Sequence, residues 1–261
     1  MIEAKVIDDS VSPDGVRLTT LQLKYPRFIH SEFMTHRVFS RNAASSRAIP
    51  IAKMIEQVRT DPAMPIEWGA NQPGMQAGAE VEERDRAALS WRMGALEAAN
   101  RAEIMMKLGL HKQIVNRVLE PFQWMHTIVT ATEWANFFAL RDHPAAQPEI
   151  AALARSMRVA MSMSRPDVQF WHIPYVGAEE ALIHNRDEVL MVSAARCARV
   201  SYLNHDGSNP DWQRDLELAY KLLEAKHMSP FEHQAHALDG PKQRSGNLRG
   251  WGQYRKELEA A

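Results

Sequence analysis

The chain has 261 residues, with 31 Lys or Arg against 32 Asp or Glu and a formal net charge of -1, so no global charge draws it to nucleic acid or an anionic membrane. Its single cysteine, Cys197, excludes an intrachain disulfide framework, a CxxC redox motif and a cysteine-based zinc cluster. The N-terminus MIEAKVIDDS lacks the basic and apolar regions of a signal peptide, and no apolar run approaches the ~20 residues that span a bilayer; a soluble, cytoplasmic protein with a substantial core is expected.

Taken in chain order, VRLTTLQLKYP (residues 16–26) is β-branched and apolar and ends at a proline, which reads as a strand. Residues 27–39 place Phe28, Ile29, Phe33, Met34 and Val38 at near-helical spacing, so the donor-rich stretch after them is expected on a helix end and loop. EWGANQPGMQAGAE is a loop, and residues 81–110 form a long helix with a possible break at Gly94. A further helix is expected from Pro121 through PFQWMHTIVTATEWANFFALRDH, on the helical recurrence of Trp124, Ile128, Thr132, Ala135 and Phe138. Residues 147–163 continue in helical pattern. DEVLMVSAARCARVSY and NPDWQRDLELAYKLLEAKH read as two more helices, the second capped by Asn209. Dinucleotide, phosphate-loop, zinc-protease and hydrolase signatures are absent.

Three constellations carry chemistry. THRVFSRNAASSRAIP (residues 35–50) gathers Arg37, Arg41 and Arg47 with Ser and Asn donors and no carboxylate; its nearest acids are Glu32 and Glu56. Guanidinium groups, hydroxyls and backbone N–H groups make an anion cradle, and on charge alone a solvated, capped basic helix end is equally supported. The second contains Arg117, His126, Thr130, Asn136 and Arg141. Here Arg141 either snorkels out of the core or is held for a partner, and His126 is read as a packing histidine. The third, HMSPFEHQAHAL, holds His227, Ser229, Glu232, His233 and His236 at a spacing that matches no standard zinc pattern, so no metal is expected. Cys197 is read as packed.

Together these segments resemble the flavin-dependent thymidylate synthases. That family carries Arg-His-Arg-x-x-Ser-x-Asn-Glu-x-Ser-x-Arg. Here THRVFSRNAASSR reproduces His36, Arg37, Ser40, Asn42, Ser45 and Arg47, with Thr35 and Ala43 replacing the first Arg and the Glu. Arg117 with Pro121, then Asn136, Leu140 with Arg141 and AQPEI keep the order of the family's later motifs, with Glu120 as one extra residue. The family's Ala-Arg-Val-Ser and His-x-Ser/Thr-Pro-x-Glu-His motifs, which normally precede the signature, follow it here as ARVSY and HMSPFEH. After them LRGWGQYRK looks like a degenerate second copy of the strand-to-helix passage into the signature. The order is that of a circular permutation, which is reasonable because chain termini lie at surfaces and often near each other.

The resemblance implies an α+β fold, a mixed or antiparallel sheet flanked by long helices, as one domain over residues 1–261, with 1–165 holding the signature and central helices and 187–261 the permuted segment. It implies methylation of deoxyuridylate at C5, with methylenetetrahydrofolate as carbon donor and FAD, recharged by NADPH, as hydride source, in a homotetramer. Carried over by position, Arg141 and Ser45 are catalytic, and Arg47, Ser45, Ser46, Arg117, Arg141 and Glu32 hold the pyrimidine deoxynucleotide monophosphate. His36, Arg37, Val38, Asn42, Thr130, Asn136, Ser201, His227, Ser229 and Glu232 contact the flavin. Neither nucleic acid nor membrane is an expected partner. Thr35 and Ala43 leave two alternatives: a deoxycytidylate methylase or pyrimidine hydroxymethylase on the same scaffold, with Gln253, Arg255 or Lys256 compensating, and a nucleotide-binding protein without catalysis.

Overall fold

A computed structural model describes residues 1–45, 47–200 and 208–260. The chain opens with β1 (Glu3–Val11) and β2 (Arg17–Pro26), antiparallel neighbours joined by a tight turn in which Gly15 adopts φ +80°. The strand read from residues 16–26 is therefore present, and it lies at the middle of a five-stranded sheet of order β3-β4-β2-β1-β5.

The expected helix over residues 27–39 shrinks to a 3-10 turn and one turn of helix, α1 (His30–Phe33). The apolar spacing ends there because Met34 and Val38 are exposed, while Phe33 and Phe39 turn in against Phe137. Arg41 fastens the reversal, donating from Nη1 to the carbonyls of Met34 (2.6 Å) and His36 (3.1 Å). The donor-rich stretch then enters a strand, β3 (Ser40–Ala43), rather than a helix end, pairing antiparallel with residues Thr130 to Thr127.

Two helices follow, α2 (Ile51–Thr60) and α3 (Arg84–Lys107), packed through Met54, Ile55 and Val58 against the small face Ala95, Ala99 and Ala102. The long helix passes Gly94 unbroken. After the single turn α4 (Lys112–Val115) comes the largest departure from the sequence reading: Trp124–Ala131 is strand β4, not the start of a helix. Its run Thr127-Ile128-Val129-Thr130 is β-branched and buried, and the strand is flanked on both edges by β2 and β3. Helical recurrence misled because this strand is buried on both faces from Thr127 onward and shows no alternation there.

Helices α5 (Ala135–Arg141) and α6 (Pro148–Met163) cover one sheet face, with Leu153, Ala154 and Met157 packed on Leu21, Leu23 and Val129. Strand β5 (Asp167–Val168) runs parallel to β1, and β6 (Trp171–His172) begins a second sheet. Helices α7 (Ala178–Ile183) and α8 (Arg186–Arg199) follow, the latter buried continuously from Val189 to Cys197. Helix α9 (Trp212–Glu224) is capped by Asp211, whose carboxylate accepts from the Arg214 N–H at 2.9 Å, and not by Asn209.

The tail ends in β7 (Ala235–Ala237), β8 (Arg244–Ser245), β9 (Leu248–Arg249), β10 (Trp251–Gln253) and α10 (Tyr254–Ala260), a strand-to-helix passage as read. Strands β10, β7 and β6 form an antiparallel sheet in that order. The fully buried Trp251 donates its indole N–H to the Val16 carbonyl at 2.9 Å and packs, with Leu248 and Ala235, on Val16 and Leu18. Tail and head thus share a core at the first residues of β2, where replacing Trp251 by Ala would cost ~3–5 kcal/mol. The whole is the α+β arrangement expected.

Candidate active site

Asn42 is where the two ends of the chain meet. From β3 its amide donates to the carbonyls of Cys197 (3.0 Å) and Ala198 (3.2 Å) at the end of α8, while its Oδ1 accepts from the Ser229 hydroxyl at 3.1 Å. Ser229 starts a 3-10 turn, Ser229–Glu232, inside the HMSPFEH segment. One side chain of the signature therefore holds both tail motifs. Around this junction lies a cavity of about 240 Å³, whose lining includes Asn42, Ser45, Arg199, His227 and Ser229. Among the described residues no carboxylate lines it, and Ala43, where the family has Glu, is part of its wall.

A second group gathers around Arg141 at the end of α5. Its Nε donates to His36 Nε2 at 2.9 Å, and its two Nη groups reach Glu32 Oε2 (3.5 Å) and the Thr35 hydroxyl (3.4 Å). His36 is buried against Phe39 and Phe137. Burial, followed by the positive charges of Arg141 and Arg41, lowers its pKa, so the ring is neutral and accepts the Arg141 proton. Arg141 does not snorkel: it is oriented by His36 from one side and loosely held by Glu32 and Thr35 from the other.

The remaining residues named from the sequence fall into three sets. Arg37, Val38, Arg47, Asn136 and Ser45 are exposed, Ser45 accepting from the Arg47 backbone N–H at 3.2 Å. Arg117 is paired with Glu120 at 2.6 Å, and Glu120, the extra residue of this chain, also binds Arg27 at 2.8 Å. Thr130 is buried in β4, its hydroxyl committed to Thr20 (2.6 Å) and His233 (2.8 Å). Ser46 and Ser201 lie outside the described residues. Glu232 pairs with Arg255 of α10, while Gln253 donates to Ser40 Oγ (2.9 Å) and to the Glu232 carbonyl (3.1 Å). The degenerate second copy thereby touches the signature it resembles.

One reading is corrected by the position of His126. His126 is solvent-exposed rather than packed, because it lies near the start of β4, before the cover that buries Ile128 and Thr130 on the same face. The three tail histidines have separate neighbours: His233 bonds Thr130, His236 bonds Glu257 at 2.6 Å, and His227 lines the cavity. Cys197 is buried and desolvation pushes its thiol pKa up, which suits packing. Sequence reasoning missed Arg199, which was visible only as part of ARVSY, and His172 and Thr20, which nothing in their local pattern marked.

Fold and site define an α+β protein with a cavity between the two ends of one chain, lined by an amide, hydroxyls, a guanidinium and an imidazole. Residues 16–166, more than half of the chain, match the Thy1 family, thymidylate synthase complementing protein. The chain belongs to that family. Its match stops short of ARVSY and HMSPFEH, yet Ala198 of the first and Ser229 of the second bond the matched part through Asn42.

A comparison with curated proteins gives no match. Among solved structures, the fold resembles a UMP/dUMP methylase PolB from Streptomyces cacaoi bound with 5-Br dUMP, at 17% identity and a TM-score of 0.52, over 62% of this chain and 90% of that one. The same protein bound with 5-Br UMP gives a TM-score of 0.48 at 17% identity, over 62% and 89% of the two chains.

Proposed function

We propose that the chain methylates a pyrimidine nucleotide at C5, as a flavin-dependent enzyme of its family with a tail that supplies what other members carry ahead of the signature. The observation that carries this is the Asn42 junction, which joins the RNAAS strand to ARVSY and HMSPFEH around one cavity. Membership of the Thy1 family supports the class of reaction, and the UMP/dUMP methylase of similar fold is consistent with it.

The donor set fits a phosphate-bearing flavin: an amide, hydroxyls, a guanidinium and an imidazole line the cavity, with no carboxylate to repel an anion. At about 240 Å³ it admits part of a dinucleotide, in keeping with the homotetramer that the resemblance implies, where other subunits complete the site. Asn42, His227 and Ser229 would hold the flavin, together with Glu232 and Asn136. The reduced flavin supplies the hydride, methylenetetrahydrofolate the carbon and NADPH the electrons that recharge the cofactor.

The protein's own part is binding and charge. Arg47 and Ser45 take the nucleotide phosphate, joined by Arg117 once its fork is released from Glu120. Arg141, aimed by neutral His36, turns its Nη groups to a pyrimidine carbonyl and stabilises negative charge that develops on the ring. Glu32 and Thr35 hold those groups only at 3.4–3.5 Å in the free protein, so a carbonyl oxygen displaces them at little cost.

Ala43 favours a second reading. Without a carboxylate in the described cavity wall, the site lacks the acceptor that the family's Glu would offer, and a different pyrimidine or a hydroxymethyl product follows from the same scaffold. Purified protein that is yellow and carries a flavin band supports both readings; colourless protein that takes up no FAD sinks both and leaves a non-catalytic nucleotide-binding protein. Reduced enzyme with methylenetetrahydrofolate, given deoxyuridylate and deoxycytidylate separately, then identifies substrate and product by mass.

A further inference from the structure

Beneath the site runs a single file of buried polar groups contributed by five separate segments. Ser10 Oγ meets His172 Nδ1 at 2.9 Å; His172 Nε2 meets Thr20 Oγ1 at 2.7 Å; Thr20 Oγ1 meets Thr130 Oγ1 at 2.6 Å; and Thr130 Oγ1 meets His233 Nδ1 at 2.8 Å. All five residues are fully buried or nearly so. At the far end, His233 Nε2 is buried and has no partner. We propose that Ser10, His172, Thr20 and Thr130 form a hydrogen-bonded relay that fixes the proton of His233 on Nδ1, which makes His172 a positioning residue for the segment carrying Ser229 and Glu232.

The direction of the relay follows from counting protons. Each hydroxyl donates once, so the file has two self-consistent states that run in opposite senses. In one, His172 Nε2–H donates to Thr20, Thr20 to Thr130 and Thr130 to His233 Nδ1, which puts the His233 proton on Nε2. In the other, His233 Nδ1–H donates to Thr130, Thr130 to Thr20 and Thr20 to His172 Nε2, which puts the His172 proton on Nδ1. Asp8 decides between them. Its Oδ2, anchored by the Ile173 N–H at 2.7 Å, lies 3.4 Å from His172 Nδ1. A carboxylate oxygen there repels a lone pair and favours an N–H, which selects the second state.

Burial is the leading cause that lowers the pKa of both rings, His233 to about 3, so each is a neutral imidazole and the tautomer argument applies. The consequence at the site is orientation. His233 directly follows the 3-10 turn Ser229–Glu232, and its bond to Thr130 ties that turn to the centre of the sheet. In the selected state His233 donates this bond, and Nε2 is left as a bare acceptor. The family match ends at residue 166, so His172 lies outside it; the bearing of the relay on flavin binding rests on the function proposed above.

Long-range 15N–1H correlation spectra of the full chain, labelled at histidine and free of ligand, test the relay directly. Wild type is expected to show neutral His233 with its proton on Nδ1. In Thr20→Val the file is cut, the Thr130 hydroxyl turns to His233 Nδ1, and the His233 proton moves to Nε2; Thr20→Ser keeps the wild-type tautomer. A wild-type His233 protonated on Nε2, a charged ring at neutral pH, or an unchanged tautomer in Thr20→Val overturns the relay, and the wild-type spectrum alone decides its direction if that variant fails to fold. Thr20→Val should also weaken FAD binding about tenfold, roughly the loss of one hydrogen bond, while Thr20→Ser does not. Equal FAD affinity in all three proteins overturns the positioning role. Wild type that binds no FAD sinks the flavin reading instead, with the tautomer still judging the relay.

Discussion

Two regions of this protein are rich in arginine and use it in opposite ways. In the tail, Arg196 is almost completely buried and surrounded by acceptors: Glu180 takes both Nη groups at 2.7–2.8 Å, Asp215 takes Nε at 2.9 Å, and the Tyr175 carbonyl shares Nη1 at 2.8 Å. Asp215 also binds Arg199. In the head, Arg37 and Arg47 are exposed and make no ion pair among the described residues, and Arg141 bonds a neutral histidine at 2.9 Å while its ion pair with Glu32 is loose, at 3.5 Å. Charge that is cancelled inside the fold holds helices together, whereas charge left uncancelled at the surface stays open to an anion from outside the chain. A count of arginines could not separate the two.

The comparison can be broken by substitution. Arg196→Ala leaves Glu180 without its ion-pair partner and the buried Asp215 with Arg199 alone, so a loss of about 3–5 kcal/mol is expected in denaturant unfolding, with little room for a folded protein to remain. Arg141→Ala should do the reverse: turnover falls by roughly 10²–10³-fold, the effect of removing one preorganised donor, while the unfolding midpoint and bound flavin barely change. A large stability loss in Arg141→Ala, or full activity, would erase the distinction.

Acid offers a second cut. His233 and His172 have pKa values pushed below that of an unfolded histidine, so the unfolded chain binds protons that the folded chain refuses. Stability contributed by keeping them neutral is complete above about pH 6.5 and is lost as pH falls, for His233 down to about 3, at ~1.4 kcal/mol per pH unit per histidine. Equilibrium unfolding at stepped pH should show this slope in wild type and a shallower one in His233→Gln. The smallest effect belongs to Glu120. Glu120→Gln frees the forks of Arg117 and Arg27 and should tighten nucleotide monophosphate binding a few-fold by calorimetry, with a stability change below ~1 kcal/mol because the pair is part-exposed.

Part of the candidate site was legible as residues that would lie together, because they come in short ordered motifs. His36 with Arg141, and Asn42 with Ser229 and the ARVSY segment, are brought together across separations of 105, 187 and 155–156 residues. Arg117 and Thr130 show where motif position falls short. Glu120 is an insertion that captures the arginine, and Thr130 is turned to Thr20 and His233 within the sheet rather than standing alone. The helix read over residues 121–143 failed for a related reason: strand β4 lies between two neighbours and is apolar or hydroxyl-bearing from Thr127 to Ala131, so it offers no alternation to read there.

By itself the sequence determined which chemistry is present: a run of uncompensated donors, an order of motifs with head and tail exchanged, one inert cysteine, and helix-forming stretches whose pattern needs only local hydrogen bonds. Tertiary structure alone decided which of those groups face each other. Pairing of β4 with β2 and β3, the docking of Trp251 on Val16 and the line from His172 to His233 are contacts between residues far apart in the chain. Their free energy comes from burial that no local window contains.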